Sequence, residues 1–178
     1  LMNMFNLVAD IQTADMLDLP IPKLKDGKVQ TIVTRKTDFQ EMMMEEFVVR
    51  SEKIRSGSVN PREDNMLKLT HEAKLMAIDS RLIDPAQPRE PDSKLSTCCG
   101  IVFDIWKESV EKRSTQMIFS DAGTPKANEF NVYDEIKEQL IEKGIPENEI
   151  AFIHDAKTDL QKDTLFEKMR AGDIRVLL

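Results

Sequence analysis

Residues 115–121 read TQMIFSD, residues 149–155 read EIAFIHD and residues 174–178 read IRVLL. Each is a short apolar run, of the length and kind found in buried parallel strands. Between the first two, Val132, Ile136 and Leu140 recur at helical spacing; Gly144 stops that helix, and Pro146 stands just beyond it. Between the last two, Thr158 and Gln161 form a capping-box pair, Leu165 and Met169 give an apolar face, and Gly172 ends the pattern. The resulting βαβαβ order implies a parallel sheet with helical crossovers, because parallel neighbours cannot be joined by a tight turn. The fold class read from the sequence is α/β, a parallel sheet with flanking helices.

Upstream of the first strand the chain reads as helical. Leu95, Cys99, Val102, Trp106 and Val110 repeat every three to four residues, the stripe of a long amphipathic helix. Before it, residues 84–92 (DPAQPREPD) hold three prolines and read as a linker. Thr70 is the expected cap of a helix whose Leu75, Ile78 and Leu82 share a face and which ends before Pro85. Residues 56–64 (SGSVNPRED) read as a loop. Thr37 with Gln40 makes a capping box for a helix with Phe39, Met43 and Phe47 on one face and Gly57 as its stop. Residues 30–36 (QTIVTRK) alternate with β-branched residues and predict a strand, while Pro20 and Pro22 force an extended LPIPK stretch. The expected organisation is a connector over 1–29, a strand plus helical segment over 30–90, and the sheet-bearing lobe over 91–178.

The 178 residues are 40% hydrophobic and 32% charged, an ordinary globular composition with room for a core. No apolar stretch approaches the roughly 18–20 residues that span a bilayer, and LMNMFNLVAD at the start lacks a basic n-region and a cleavage site. A reducing, cytoplasmic setting is expected for Cys98 and Cys99, which are adjacent and cannot staple distant segments. The net charge of −7, heavier in the second half, argues against a self-sufficient nucleic-acid binder. The first residue is Leu1 and the last, Leu178, closes an apolar run, so a fragment of a longer protein is expected.

Several chemistries are excluded. The glycines at 27, 57, 100, 123, 144 and 172 stand too far apart for a GxGxxG or GxxxxGK loop. His71 and His154 are distant, the cysteines lack CxxC spacing, and no GxSxG elbow occurs, so no metal site and no catalytic residue is assigned. Cys99 lies on the apolar stripe and reads as a packed thiol. Asp134-Glu135-Ile136-Lys137 reads as a solvated helix face, and Met42–Met44 either as a soft binding surface or as packing with Phe39 and Phe47. What remains is the carboxyl end of the sheet, where open α/β sheets place their ligand contacts. Ser120, Asp121, Gly123 and Thr124 follow the first strand; His154, Lys157 and Thr158 follow the second. Backbone N–H groups and hydroxyls there can meet phosphates. Alternatively Asp121, Thr124 and Thr158 cap turns and helices, and His154 is a satisfied strand-end histidine.

These residues carry a resemblance. STQMIFSDAGTP (114–125) resembles motif IV of superfamily-2 helicases, the opening strand of their second RecA-like lobe. IPENEIAFIHDAKTDLQKDTLFEKMRAGDIRVLL (145–178) is similar to the stretch that follows in Swi/Snf-type DNA translocases, and ADMLDLPIPKLKDGKVQTIVTRKTDFQEMMM (14–44) to their bridge between lobes. ADIQTADMLDLP (9–20), DNMLKLTHEAKLMAIDSRLIDP (64–85) and FIHDAKTDLQK (152–162) look most like very large helicase–methyltransferase fusions of phages and conjugative elements. The chain departs where Asp155 follows His154 in place of the family's glycine, and where Gln161-Lys162 stands at a position often held by arginine.

The resemblance implies a truncated RecA-like lobe preceded by a helical interlobe segment, with motifs V and VI expected after Leu178. It implies an ATP-dependent helicase or translocase acting on DNA and serving DNA modification or antirestriction in a mobile element. ATP and Mg²⁺ would serve the intact parent, and none is expected for this piece alone. Its partners would be DNA and the first RecA-like lobe, with no membrane. Carried over by position, Ser120, Asp121, Gly123, Thr124, His154 and Lys157 would meet the nucleic-acid backbone, with Asp121 and Asp155 capping turns. The competing expectation is a non-catalytic scaffold derived from a degenerate helicase lobe.

Overall fold

A computed structural model describes residues 16–17, 23–125 and 129–178. The expected connector over 1–29 lies largely outside the described residues, and of the LPIPK stretch only Lys23 is described. The chain divides into two units, Leu1–Ile32 and Val33–Leu178. In the first, the described residues hold a single 3-10 turn, Lys25–Gly27.

The second unit carries α1 (Asp38–Arg55), α2 (Met66–Ile78), α3 (Lys94–Glu108), β1 (Gln116–Met117), α4 (Val132–Lys143), β2 (Ile150–Ala151), α5 (Asp159–Ala171) and β3 (Val176–Leu177). The strands form one parallel sheet in the order β1-β3-β2, with Gln116 and Ile150 both in register with Val176. The molecule is thus α/β, as the alternation of periods predicts. Side chains alternate across the sheet. Val176, Leu178 and Ile150 face a core with Leu95, Cys99 and Val102 of α3 and Val132, Ile136 and Leu140 of α4. Leu177 faces the other way, onto Met169 of α5 and Ile174. Among the described residues no helix is long and apolar enough to cross a membrane.

Local signals set most helix ends. Both capping boxes form: Thr37 accepts from the Gln40 N–H while Gln40 accepts from Thr37, and Thr158 and Gln161 do the same. Gly144 and Gly172 close α4 and α5. Met43 and Phe47 of α1 pack on Leu69 and Met76 of α2 in a separate helical core. Arg50 locks that pair by forking onto Asp64 at 2.9 and 3.0 Å and reaching Glu72 at 2.6 Å. The methionine run divides, with Met43 buried and Met42 and Met44 exposed.

Five expectations are corrected. Residues 30–36 form no strand; Ile32 and Val33 stand exposed, and among the described residues no neighbouring strand accepts their hydrogen bonds. Asn65, not Thr70, caps α2, its side chain accepting from Lys68 N–H, while the Thr70 hydroxyl donates to the Met66 carbonyl inside the helix. That helix ends at Ile78, and Leu82 sits in a separate 3-10 turn, Ser80–Leu82, capped by Asp79. Val110 lies beyond the end of α3 and is exposed. The TQMIFSD run is only half buried: Ile118 packs on the main core, but Met117 is 59% and Phe119 85% exposed. The reason is topological, since β1 is an edge strand and the α5 core gathers around Leu177 of the central strand.

Candidate functional site at the strand ends

The parallel sheet brings the loops after β1 and β2 to the same edge, with β3 between them. Strands two places apart in a sheet are separated by roughly 10 Å. Both loops are anchored on the first turn of α4. The Val132 N–H donates to the Gly123 carbonyl at 3.0 Å. The next residue, Tyr133, meets the His154 ring edge-on at 5.0 Å and the Phe152 ring at 5.9 Å. Asn131 caps the helix by accepting from the Asp134 N–H at 2.9 Å. Gly123 to Val132 to Tyr133 to His154 is therefore one continuous line of contacts.

Within the first loop the Ser120 hydroxyl donates to the Ala122 carbonyl at 2.7 Å and shapes the turn. Gly123 has φ +74, and a Cβ there would lie 2.4 Å from Val132 Cγ2. Thr124 and Asp121 are exposed. In the second loop His154 lies in the 3-10 turn Ile153–Asp155 and is exposed. The Lys157 backbone N–H donates to Gln161 Oε1 at 2.8 Å, so its main chain belongs to the helix cap while its side chain stands in solvent. Thr158 is the cap residue, as the alternative reading of the sequence had it. Asp121 and Asp155 are exposed, and among the described residues neither carboxylate accepts a hydrogen bond. Their expected capping role is not realised; Ser120 and Gln161 do that work.

A cleft of about 510 Å³ opens beside the first loop. One wall is His71 and Leu75 of α2 with Leu82 and Pro85; the other holds Asp121, Gly123, Thr124 and Phe130. The six residues named from the sequence are thus divided: Asp121, Gly123 and Thr124 border this cleft, whereas Ser120, His154 and Lys157 do not. Behind it lies a charged cluster that sequence reasoning missed. The Arg81 guanidinium forks onto Asp79 at 2.9 and 2.8 Å, bonds Glu135 at 2.8 Å and sits 4.3 Å over the Phe130 ring. Burial pulls Arg81 down, but the hydrogen bonds to Asp79 and Glu135 outweigh it and hold its pKa above the ordinary value. Arg89 adds a second contact to Glu135 at 2.8 Å and also pairs with Glu138 and Glu142. The proline-rich segment is therefore pinned to α4. Glu135, expected on a solvated face, is only 5% exposed.

No family model, no curated protein and no solved structure matches this chain. The chemistry of the site must then be read from its groups. Exposed hydroxyl, imidazole and ammonium groups border the sheet edge, beside two uncapped carboxylates. The buried thiol of Cys99 is pushed up to about 12 by burial, with Cys98 adding to it, and is no nucleophile in the folded chain. Among the described residues no three metal-ligating side chains stand together.

Proposed function

We propose that this chain is the first part of the second RecA-like lobe of a Swi/Snf-type DNA translocase, in which the strand-end loops touch the backbone of one DNA strand. The observation that carries the reading is the pair of loops at the carboxyl edge of a parallel sheet, tied together through Val132 and Tyr133. Thr124 offers a hydroxyl, and His154 and Lys157 offer ring and ammonium donors, at the edge where open α/β sheets bind ligands. Contacts of this sort give affinity without sequence readout and weaken steeply with salt.

The family's chemistry also needs ATP and Mg²⁺. The 178 residues contain no glycine-rich phosphate loop, and their described acidic side chains form no metal cluster. In this reading nucleotide chemistry belongs to a complete motor with its first lobe, and no catalytic step is assigned to these residues. Fusion to a methyltransferase, and service to a mobile element, rest on the sequence resemblance alone.

The test is ATP turnover by the complete motor with and without duplex and single-stranded DNA, repeated with Thr124→Ala, Lys157→Ala. DNA-stimulated turnover that the double variant blunts is expected. Turnover indifferent to DNA, or none at all, refutes the motor reading. That outcome would favour a non-catalytic interaction module, which one observation already supports: Asp121 and Asp155 stand uncapped where they oppose a phosphate backbone.

A further inference from the structure

The cleft beside the first loop is a poor place for a phosphate. The guanidinium on its border, Arg81, is already committed to Asp79 and Glu135, and Arg89 takes the other oxygen of Glu135. Asp121 adds another carboxylate at the rim. An anion entering here would meet no uncommitted guanidinium. Yet the volume, about 510 Å³, lies in the range of small-molecule sites. Its lining is mixed: Leu75, Leu82, Pro85 and Phe130 give it apolar surface, beside His71 and the exposed carboxylates of Asp121 and Glu129. Phe130 is braced by Arg81 at 4.3 Å, so its ring is held rather than loose.

A flat, neutral ring with polar groups on one edge suits such a space. We propose that the cleft takes a single unstacked nucleobase bearing an exocyclic amino group. Phe130 and the aliphatic wall cover its faces, and Asp121 with Thr124 reads its edge. The carboxylate can only accept, so it favours the amino groups of cytosine or adenine and repels the carbonyl oxygen that thymine presents instead. The inference rests on the backbone reading above for its source of bases: a strand running along Thr124, His154 and Lys157 can turn one base into the adjoining cleft. Stacking on an aromatic ring gives base affinity that phosphate contacts cannot mimic.

The test uses the 178-residue chain in two arms. In the first, deoxycytidine, deoxyadenosine and thymidine are titrated at millimolar concentration, and the methyl resonances of Leu75 and Leu82 are followed by NMR. Shifts with the amino-bearing nucleosides, at least fivefold weaker with thymidine, are expected. In the Asp121→Asn variant that preference should fall to within twofold, because an amide can turn to accept or donate. Asp121 is exposed and caps nothing, so the variant should fold; Trp106 emission checks it. Absence of nucleoside shifts, or equal shifts for all three, overturns the proposal. In the second arm, anisotropy of labelled oligo(dC), oligo(dT) and an abasic strand of equal length is measured at low salt. Nucleoside binding without oligonucleotide binding keeps the cleft and sinks the strand contact. Oligonucleotide binding that ignores base identity does the reverse.

Discussion

Replacing Gly123 by alanine should be the most damaging single-methyl change available at the strand ends. Two costs add. With φ +74 the residue occupies the left-handed region, where a side chain costs roughly 1–2 kcal/mol. The new Cβ would also stand 2.4 Å from Val132 Cγ2 and 3.0 Å from Val132 Cβ. Val132 is fully buried in the main core and its N–H is tied to the Gly123 carbonyl, so neither partner can retreat cheaply. Overpacking of this kind costs about 1–3 kcal/mol, which brings the expected loss to about 2–5 kcal/mol. Gly57 separates the two costs: it has φ +72 but open space where its Cβ would go. Gly57→Ala should therefore lose only the conformational part, about 1–2 kcal/mol. Urea unfolding followed by emission of the single tryptophan, Trp106, gives both numbers. Adding Val132→Ala to Gly123→Ala removes Cγ2, and the double variant should recover about 1–3 kcal/mol relative to the sum of the single losses. If Gly123→Ala costs no more than Gly57→Ala, or the cycle shows no coupling, the contact between this loop and α4 is not what fixes the strand-end geometry.

Other perturbations probe the charged and sulfur groups. Glu135→Ala strips one bond from Arg81 but leaves it forked onto Asp79, so it should cost about 1.5–3 kcal/mol, whereas Glu138→Ala, on an exposed side chain that also pairs with Arg89, should cost under about 1 kcal/mol by thermal denaturation. The Cys99 thiol, pushed by burial from 9.0 to about 12, keeps its proton in the folded chain after the unfolded chain has lost it. Stability should then be unaffected by this group below about pH 9 and fall as pH rises from about 9 toward about 12, more steeply than in Cys99→Ala; a thiol reagent at pH 8 should leave Cys99 unmodified until the chain unfolds. Arg175 is 1% exposed and donates to the Trp106 carbonyl at 2.6 Å and the Ser109 hydroxyl at 3.0 Å, beside Glu149. Arg175→Met strips those bonds and should cost about 3–5 kcal/mol, with a shift in native Trp106 emission because the indole N–H donates to Glu149 at 2.7 Å.

The elements that the sequence announced share one property: their signals are complete within a few residues. A capping box is a pair three positions apart, and Thr37–Gln40 and Thr158–Gln161 both close as read. A helix stop at Gly144 or Gly172 needs only the local backbone. The readings that failed depended on a partner elsewhere. QTIVTRK has the alternation of a strand, but alternation specifies a strand only when another strand stands beside it. Thr70 and Asn65 are both fair caps, and what separates them is where the apolar face of α2 begins; Leu69 lies N-terminal to Thr70, and its burial against α1 is invisible from the residues around it. TQMIFSD shows its strand but not its place at the edge of the sheet, so the exposure of Met117 and Phe119 could not be foreseen.

The same division runs through the candidate site. Its first wall was legible because a strand's carboxyl end is fixed by the strand itself, and Asp121, Gly123 and Thr124 follow β1 directly. The opposite wall comes from His71, Leu75 and Leu82, separated from β1 by α3 and the proline-rich segment. Glu135 shows how far this matters for chemistry. Its neighbours Asp134 and Lys137 argue for solvent, yet Arg81, 54 positions away, and Arg89 draw it into a buried cluster. Counting charges along the chain would credit Arg81 to the cleft as a free cation and favour a phosphate there. Its two bound carboxylates remove that attraction and leave an aromatic ring, aliphatic side chains and the exposed carboxylates of Asp121 and Glu129. Which ligand the cleft prefers is thus set by which charges have already found each other, a property of the packed chain that residue composition does not contain.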